Sequence, residues 1–127
     1  MKPAYLDSSF LLAIAFGEPG AERLEARLGR YDSVHASDLV EAEVLSALAR
    51  EATPLPDGDV FAALNWTFPD RPLTQEFARI LQTGYLKGAD LWHLACALYL
   101  SPDPQDLFFL TLDTRQRKIA AKLGFRL

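Results

Sequence analysis

Residues 107–113 read Leu107-Phe108-Phe109-Leu110-Thr111-Leu112-Asp113, and they contain the clearest strand signal in the chain. The first five are bulky or favour extended structure, so they predict a strand over 107–111. A helix is predicted directly afterwards, over 114–123, with Gly124 closing it. The chain begins in a similar way, because the apolar run Ala4-Tyr5-Leu6 predicts a short strand that ends at Asp7, and a helix is predicted over 8–16.

Strands and helices alternate between these two ends. The pattern predicts a strand over 33–36, a further edge strand over 125–127, and helices over 21–28, 38–51, 57–66, 73–83 and 89–100. At the start of the helix over 38–51, Asp38 and Glu41 have the spacing of a capping box. The alternation predicts an α/β fold over 1–127, a single domain with a small parallel sheet in three α/β/α layers.

The composition excludes several classes of protein. The chain has 127 residues, of which 50% are hydrophobic, and a net charge of −4, so it has enough apolar surface for one folded domain. No apolar run reaches the ~18 residues that a membrane span requires. One cysteine and two histidines fall short of a structural zinc site, and the lack of a second cysteine favours a cytoplasmic protein.

Four acids are predicted to meet at one edge of the sheet. Asp7 and Asp113 follow predicted strands, and parallel sheets bind ligands beyond the carboxyl ends of their strands. Glu43 lies in the early turns of the helix that follows the second strand. Asp90 stands at the mouth of a helix with no formal charge over 91–100, where an unpaired carboxylate is costly unless it is capped, paired or bound to metal.

Each acid also has a simpler explanation. Asp7, Asp90 and Asp113 all precede or open helices, where aspartate is a favoured N-cap, and Glu43 can be a solvated helical residue. Four carboxylates at one edge are harder to explain in this way, because clustered carboxylates repel one another unless a cation neutralises them. A hard divalent cation with oxygen ligands suits this arrangement, and it suits phosphate-ester chemistry because it activates a bound water.

Four stretches at these acids resemble the motifs of PIN-domain nucleases, and more narrowly of the VapC ribonuclease toxins of bacterial toxin–antitoxin pairs. They occur in order over nearly the whole chain: Tyr5-Leu6-Asp7-Ser8-Ser9, Ala36-Ser37-Asp38-Leu39-Val40-Glu41-Ala42-Glu43-Val44, Gly88-Ala89-Asp90-Leu91-Trp92-His93-Leu94-Ala95-Cys96-Ala97 and Leu110-Thr111-Leu112-Asp113. None of these motifs is specific alone. The ordered set of four motifs is specific.

The resemblance implies an acidic site that holds Mg²⁺ or Mn²⁺ on Asp7, Glu43, Asp90 and Asp113. It selects Glu43 rather than Glu41, a choice that the capping role predicted for Glu41 also supports. It further implies an endoribonuclease that hydrolyses RNA, is blocked by a cognate antitoxin protein and forms a homodimer. The apolar side chains of Phe10, Phe16, Phe61 and Trp66, which are difficult to place in one small core, favour the dimer as well.

Several other residues are candidates for contacts with RNA. The hydroxyl groups of Ser9 and Thr111 are predicted near the acidic edge, where they orient an acid or a water, or simply cap a helix. Residues 113–127 contain five basic residues and one acid, so the last predicted helix suits a phosphate backbone, although a solvated helix face explains the same charges. In this helix the predicted substrate-binding residues are Arg115, Lys118 and Lys122. His93 is expected to be structural rather than a ligand or a general base.

Two other functions compete with a nuclease. A PIN-like fold can serve as a catalytically inactive binding or assembly module, but the presence of all four acids argues against that. A phosphotransferase with Asp7 as its nucleophile is disfavoured, because the phosphatases whose opening is similar have a second aspartate where this chain has Ser9.

Overall fold

The computed structural model describes residues 2–55 and 60–127. Within them, one parallel sheet has the strand order β3-β2-β1-β4. Tyr5 is paired with His35 on one side and with Phe109 on the other, so β1 lies at the centre of the sheet. The strands are β1 (Ala4–Leu6), β2 (Val34–Ser37), β3 (Leu64–Thr67) and β4 (Phe108–Leu110).

Helices cover both faces of this sheet. Because side chains alternate along a strand, Tyr5 and Phe109 join one core cluster, whereas Leu6 and Leu110 join the other. The second cluster packs under α1 (Ser8–Ala15), α2 (Ala21–Leu28), α3 (Asp38–Arg50) and the short α4 (Val60–Ala63). The first packs under α5 (Thr74–Thr83), α6 (Gly88–Leu100) and α7 (Thr114–Leu123). The predicted three-layer α/β/α fold with a small parallel sheet is confirmed.

The prediction of a helix over 57–66 is wrong for its second half. The structure has only the short helix α4 and then β3, which pairs with β2 from Val34↔Leu64 to Ser37↔Thr67. Trp66 and Thr67 are residue types that favour strands, and backbone pairing with β2 outweighs the helical pattern. Residues 57–59 of the predicted helix lie outside the described part of the chain. The segment 54–72 therefore supplies an edge strand.

The capping box predicted at Asp38 and Glu41 is also wrong. The N-cap of α3 is Ser37, whose hydroxyl accepts a hydrogen bond from the backbone N–H of Val40 (3.3 Å), and both Asp38 and Glu41 are exposed. Ser37 is the last residue of β2, and its extended backbone suits the N-cap position. The physical reason for preferring Glu43 to Glu41 therefore fails, and the choice depends on the site itself.

The aromatic side chains that favoured a dimer find places within one chain. Phe10 is buried, and Phe16, Phe61 and Trp66 are partly buried against the same cluster. Composition therefore no longer argues for a second subunit. At the chain end, residues 125–127 contribute an isolated bridge between Arg126 and Phe108 rather than a full strand. No helix within residues 2–55 and 60–127 is long and apolar enough to cross a membrane.

Candidate functional site

Asp7 is held at the carboxyl end of the central strand. It is 2% exposed, it is the N-cap of α1, and its Oδ1 accepts a hydrogen bond from the backbone N–H of Phe10 (3.2 Å). The Ser9 hydroxyl donates to Oδ1 (2.7 Å), and the Thr111 hydroxyl donates to Oδ2. The two predicted hydroxyl residues thus meet at Asp7 from different ends of the chain, because β1 and β4 are neighbours.

Burial raises the pKa of Asp7 above its ordinary value. The hydrogen bonds from Thr111, Ser9 and Phe10 and the nearby His93 act in the opposite direction, but desolvation is the largest effect. Without a cation, the ionised carboxylate of Asp7 is therefore disfavoured in the fold. Since both of its oxygens accept hydrogen bonds in a buried place, Asp7 is also poorly presented as a nucleophile for phosphoryl transfer.

Glu43 lies in a second hydrogen-bonded group beside Asp7. Its Oε1 accepts a hydrogen bond from the Ser8 hydroxyl (2.7 Å) and lies 2.7 Å from Nε2 of His93. The side chain of His93 is 1% exposed, whereas that of Glu43 is 35% exposed, so the partly exposed carboxylate contacts a buried histidine. These contacts place Glu43 rather than the exposed Glu41 at the sheet edge.

The contacts of His93 show where its Nε2 hydrogen points. A carboxylate only accepts hydrogen bonds, so Nε2 carries the hydrogen that points at Glu43. Nδ1 lies 3.1 Å from the Ser37 hydroxyl, which also accepts a hydrogen bond from the backbone N–H of Val40. Ser37 thus links the start of α3 to α6. This arrangement assigns His93 an orienting role, in agreement with the structural role expected for it.

Asp90 and Asp113 are brought together by Gln116, which is fully buried. Oδ1 of Asp113 accepts a hydrogen bond from the backbone N–H of Gln116 (2.8 Å), and the side-chain amide of Gln116 donates to the backbone carbonyl of Asp90 (2.9 Å). The backbone N–H of Asp113 donates to the Thr111 hydroxyl (3.0 Å), which joins this pair to Asp7. The capping explanation is therefore correct for Asp7 and Asp113, and both also face the common edge.

The pKa of Asp90 is raised by its burial and by neighbouring acids. Burial raises it most, Asp113 and Glu43 raise it further, and Lys87 and His93 oppose them. Asp90 therefore lies within electrostatic reach of two other acids. The raised pKa means that the ionised form of Asp90 is less stable here than in water, so a bound cation would stabilise it.

The four acids do not form a closed set of metal ligands. Among the described residues, no three His, Cys, Asp or Glu side chains are arranged to hold an ion. Asp7 and Glu43 instead direct oxygens towards hydroxyl groups and His93. The donor chemistry nevertheless fits Mg²⁺, because Mg²⁺ is usually bound by one or two carboxylates and keeps several of its waters. The four carboxylates offer only oxygen ligands and carry negative charge, which meets that requirement.

The predicted cationic residues lie on the exposed side of α7. Arg115, Lys118 and Lys122 are exposed, and Arg115 lies in the first turn after Asp113. Sequence reasoning missed Ser8 and Gln116, which position Glu43, Asp90 and Asp113. The adjacency of Ser8 to Asp7 is a signal for the first, whereas Gln116 has no signal, because its role depends on α6 and α7 meeting in space.

Comparison with known proteins identifies the family of the chain. No curated protein is significantly similar to the chain. The sequence profile of the PIN domain matches residues 4–122, which include all four acids and every strand of the sheet. The match covers nearly the whole chain, and the chain belongs to the PIN domain family.

Proposed function

We propose that the protein is a divalent-metal-dependent endoribonuclease. PIN domains are generally nucleases, and they usually use divalent metal ions. The observation that carries the proposal is that hydrogen bonds through Thr111 and Gln116 link Asp7 to Asp113 and Asp90. The pKa of Asp90 is raised by burial, by Asp113 and by Glu43. A site that bears the desolvation cost of two carboxylates, Asp7 and Asp90, is consistent with a cationic ligand.

In this proposal, Asp7, Glu43, Asp90 and Asp113 hold Mg²⁺ or Mn²⁺ directly or through water. When bound, the metal lowers the pKa of a water and screens the negative phosphodiester. Ser9 and Thr111 keep both oxygens of Asp7 in place. Ser8 and His93 both contact Oε1 of Glu43, so this carboxylate is also oriented before RNA arrives.

RNA is the proposed substrate, and Arg115 is the proposed contact to the scissile phosphate. A guanidinium group suits bidentate recognition of phosphate oxygens, and the first turn of α7 begins next to Asp113. We further propose, on the resemblance to VapC toxins, that the protein is the toxin of a type II pair, acts in the cytoplasm as a homodimer and is blocked by an antitoxin segment. An acidic antitoxin side chain would compete with phosphate for Arg115.

The comparison of Glu43 with Glu41 tests the proposal. Both glutamates lie in the first half of α3, but only Glu43 contacts Ser8 and His93. We expect Glu43→Gln to reduce Mg²⁺-dependent cleavage of single-stranded RNA by at least about 100-fold, a loss typical of a displaced metal ligand or its support. Glu41→Gln should cleave like the parent, and no RNA should be cut in EDTA.

Two outcomes would contradict the proposal. One is a parent protein that cleaves no RNA with Mg²⁺ or Mn²⁺, which would favour an inactive binding module. The other is equal loss of cleavage in both glutamate variants, which would mean that charge on α3, rather than the Glu43 site, matters. Circular dichroism of each variant establishes that the fold is retained.

A further inference from the structure

A groove with a volume of about 390 Å³ lies between the end of α5 and the exposed side of α7. Three cations line one wall, and the aromatic ring of Tyr85 lines the other. Tyr85 is 68% exposed, an unusual state for a large ring in a domain whose other aromatic side chains are mostly packed. The residues that matter here are Thr83, Tyr85, Thr114, Arg115, Lys118 and Lys122.

The close approach of Gly84 to α7 sets the position of Tyr85. A Cβ atom at Gly84 would lie 3.0 Å from Cδ1 of Ile119, which is tighter than ordinary contact. Ile119 is buried in the core, so it has little room to move. The glycine therefore lets the segment after α5 lie directly on α7. Tyr85 is held beside the cations by this contact.

The charge of the groove is opposite to that of the chain. The protein has a net charge of −4, but the described residues that line the groove include Arg115, Lys118 and Lys122 and no acid. Lys118 and Lys122 are one helical turn apart, so they point to the same side of α7. The groove is thus a local positive surface on an acidic protein, which favours an anionic chain as its ligand.

The residues that line the groove are close along the chain to two of the four acids. Asp113 is the N-cap of α7, and Thr114, the next residue, already lines the groove. On the other wall, Lys87 follows Tyr85 by two residues and acts electrostatically on Asp90. Each wall is therefore close along the chain to one acid, Asp113 on one side and Asp90 on the other.

We infer that this groove binds single-stranded RNA next to the bond that is cut, with Lys118 and Lys122 on the phosphates and Tyr85 stacked on a base. The inference rests on the proposed function, since it assumes that the acids are where RNA is cleaved. An exposed ring beside regularly spaced cations is the usual arrangement for single strands, whose bases are free to stack. A paired helix buries its base faces and leaves Tyr85 without a partner.

Binding of a fluorescein-labelled 12-nucleotide oligouridine in EDTA, measured by anisotropy, tests the role of Tyr85 without cleavage. We expect Tyr85→Leu to weaken binding about tenfold and Tyr85→Phe to bind like the parent, because the ring and not the hydroxyl provides stacking. Phe68→Leu is the matched control. Phe68 is 66% exposed but follows β3, at the opposite edge of the sheet from β4.

A salt series tests the cations. Replacing both Lys118 and Lys122 by Gln should reduce the slope of log K against log salt by about 1.4, or about 0.7 for each phosphate that a lysine no longer neutralises. The double variant Arg23→Gln/Arg30→Gln removes the same charge from exposed positions around α2 and should leave the slope near that of the parent. Equal slopes in the two double variants would show that only net charge matters and would overturn the inference.

The remaining outcomes separate this inference from the proposed function. If the parent cleaves RNA with Mg²⁺ but Tyr85→Leu binds like Phe68→Leu, the groove is not the RNA track, although the nuclease proposal stands. If the parent binds through Tyr85 and the lysines but cleaves nothing, the groove is confirmed and the nuclease proposal fails. If poly-glutamate, and not RNA, loses affinity in the groove variants, the groove takes an acidic protein segment and the inference is wrong.

Discussion

Asp7 combines two requirements that conflict in the metal-free protein. Asp7 lies at the end of the central strand and is the N-cap of α1. It is the most buried of the four acids, at 2% exposed. Burial raises its pKa, so the ionised side chain costs folding free energy at neutral pH. A metal ligand needs this ionised form. In the proposed metal site, Asp7 would therefore favour cation binding at the expense of the stability of the metal-free fold.

Asp7→Asn should make the metal-free protein more stable while abolishing cleavage. The asparagine Oδ1 retains the contacts from Ser9 and Phe10, and its amide can donate to the Thr111 hydroxyl. Relief of about 1 kcal/mol would raise the Tm of a domain of this size by about 4 °C. Thermal unfolding in EDTA measures the change. Asp38→Asn, at an exposed aspartate, is the control and should not raise the Tm.

The gain in stability should depend on pH in one direction. Because the folded-state pKa of Asp7 is raised above the ordinary value of about 3.9, the parent loses stability as pH rises from that value through the raised pKa. Asparagine does not titrate. The difference between Asp7→Asn and the parent should therefore be small near pH 3.5 and largest near pH 7, and a difference that shrinks with rising pH would contradict this account.

The residue at which a helix begins determines which of its acids face the site. Ser37 ends β2 and caps α3, so the helix begins one residue earlier than Asp38 would have set it. The same hydroxyl reaches Nδ1 of His93 on α6, whose Nε2 holds Glu43. One serine therefore fixes both the start of α3 and the orientation of a carboxylate further along it.

We expect Ser37→Ala to destabilise the protein by about 2 kcal/mol, because it removes the cap and leaves a buried nitrogen of His93 unpaired. Asp38→Ala should cost at most about 0.5 kcal/mol, since its side chain is exposed. Urea unfolding of the two variants measures the difference. Equal losses would mean that Asp38 shares the capping role.

The elements show which parts of the fold can be predicted from sequence. The strands ending at Asp7 and before Asp113 are predictable, because short apolar runs followed by an acid and a helix have a local signal. β3 is not, because its four residues become a strand by pairing with β2. The roles of Ser37, His93 and Gln116 also depend on contacts between distant segments. The sequence thus predicts Ser9 and Thr111 beside Asp7, but not the links that Ser37 and Gln116 make between distant segments.

At the scale of the whole molecule, negative and positive side chains gather on two separate surfaces. The acids gather at the carboxyl edge of the sheet, whereas the exposed side of α7 carries Arg115, Lys118 and Lys122. An acidic protein repels RNA at long range, so a local positive surface must provide the attraction. In the proposed function, RNA would extend from these cations towards the acids, where a bound cation would offset the negative charge of both partners.

The most direct test of a metal site on the four acids is a titration with Mn²⁺, followed by electron paramagnetic resonance of the free ion. We predict that the parent binds Mn²⁺ and that Asp90→Asn, which keeps the backbone carbonyl bonded to Gln116, weakens binding at least about tenfold. Asp38→Asn should bind Mn²⁺ like the parent. A parent that binds no Mn²⁺, or an Asp90→Asn variant that binds it as tightly as the parent, would contradict a metal site formed by the four acids.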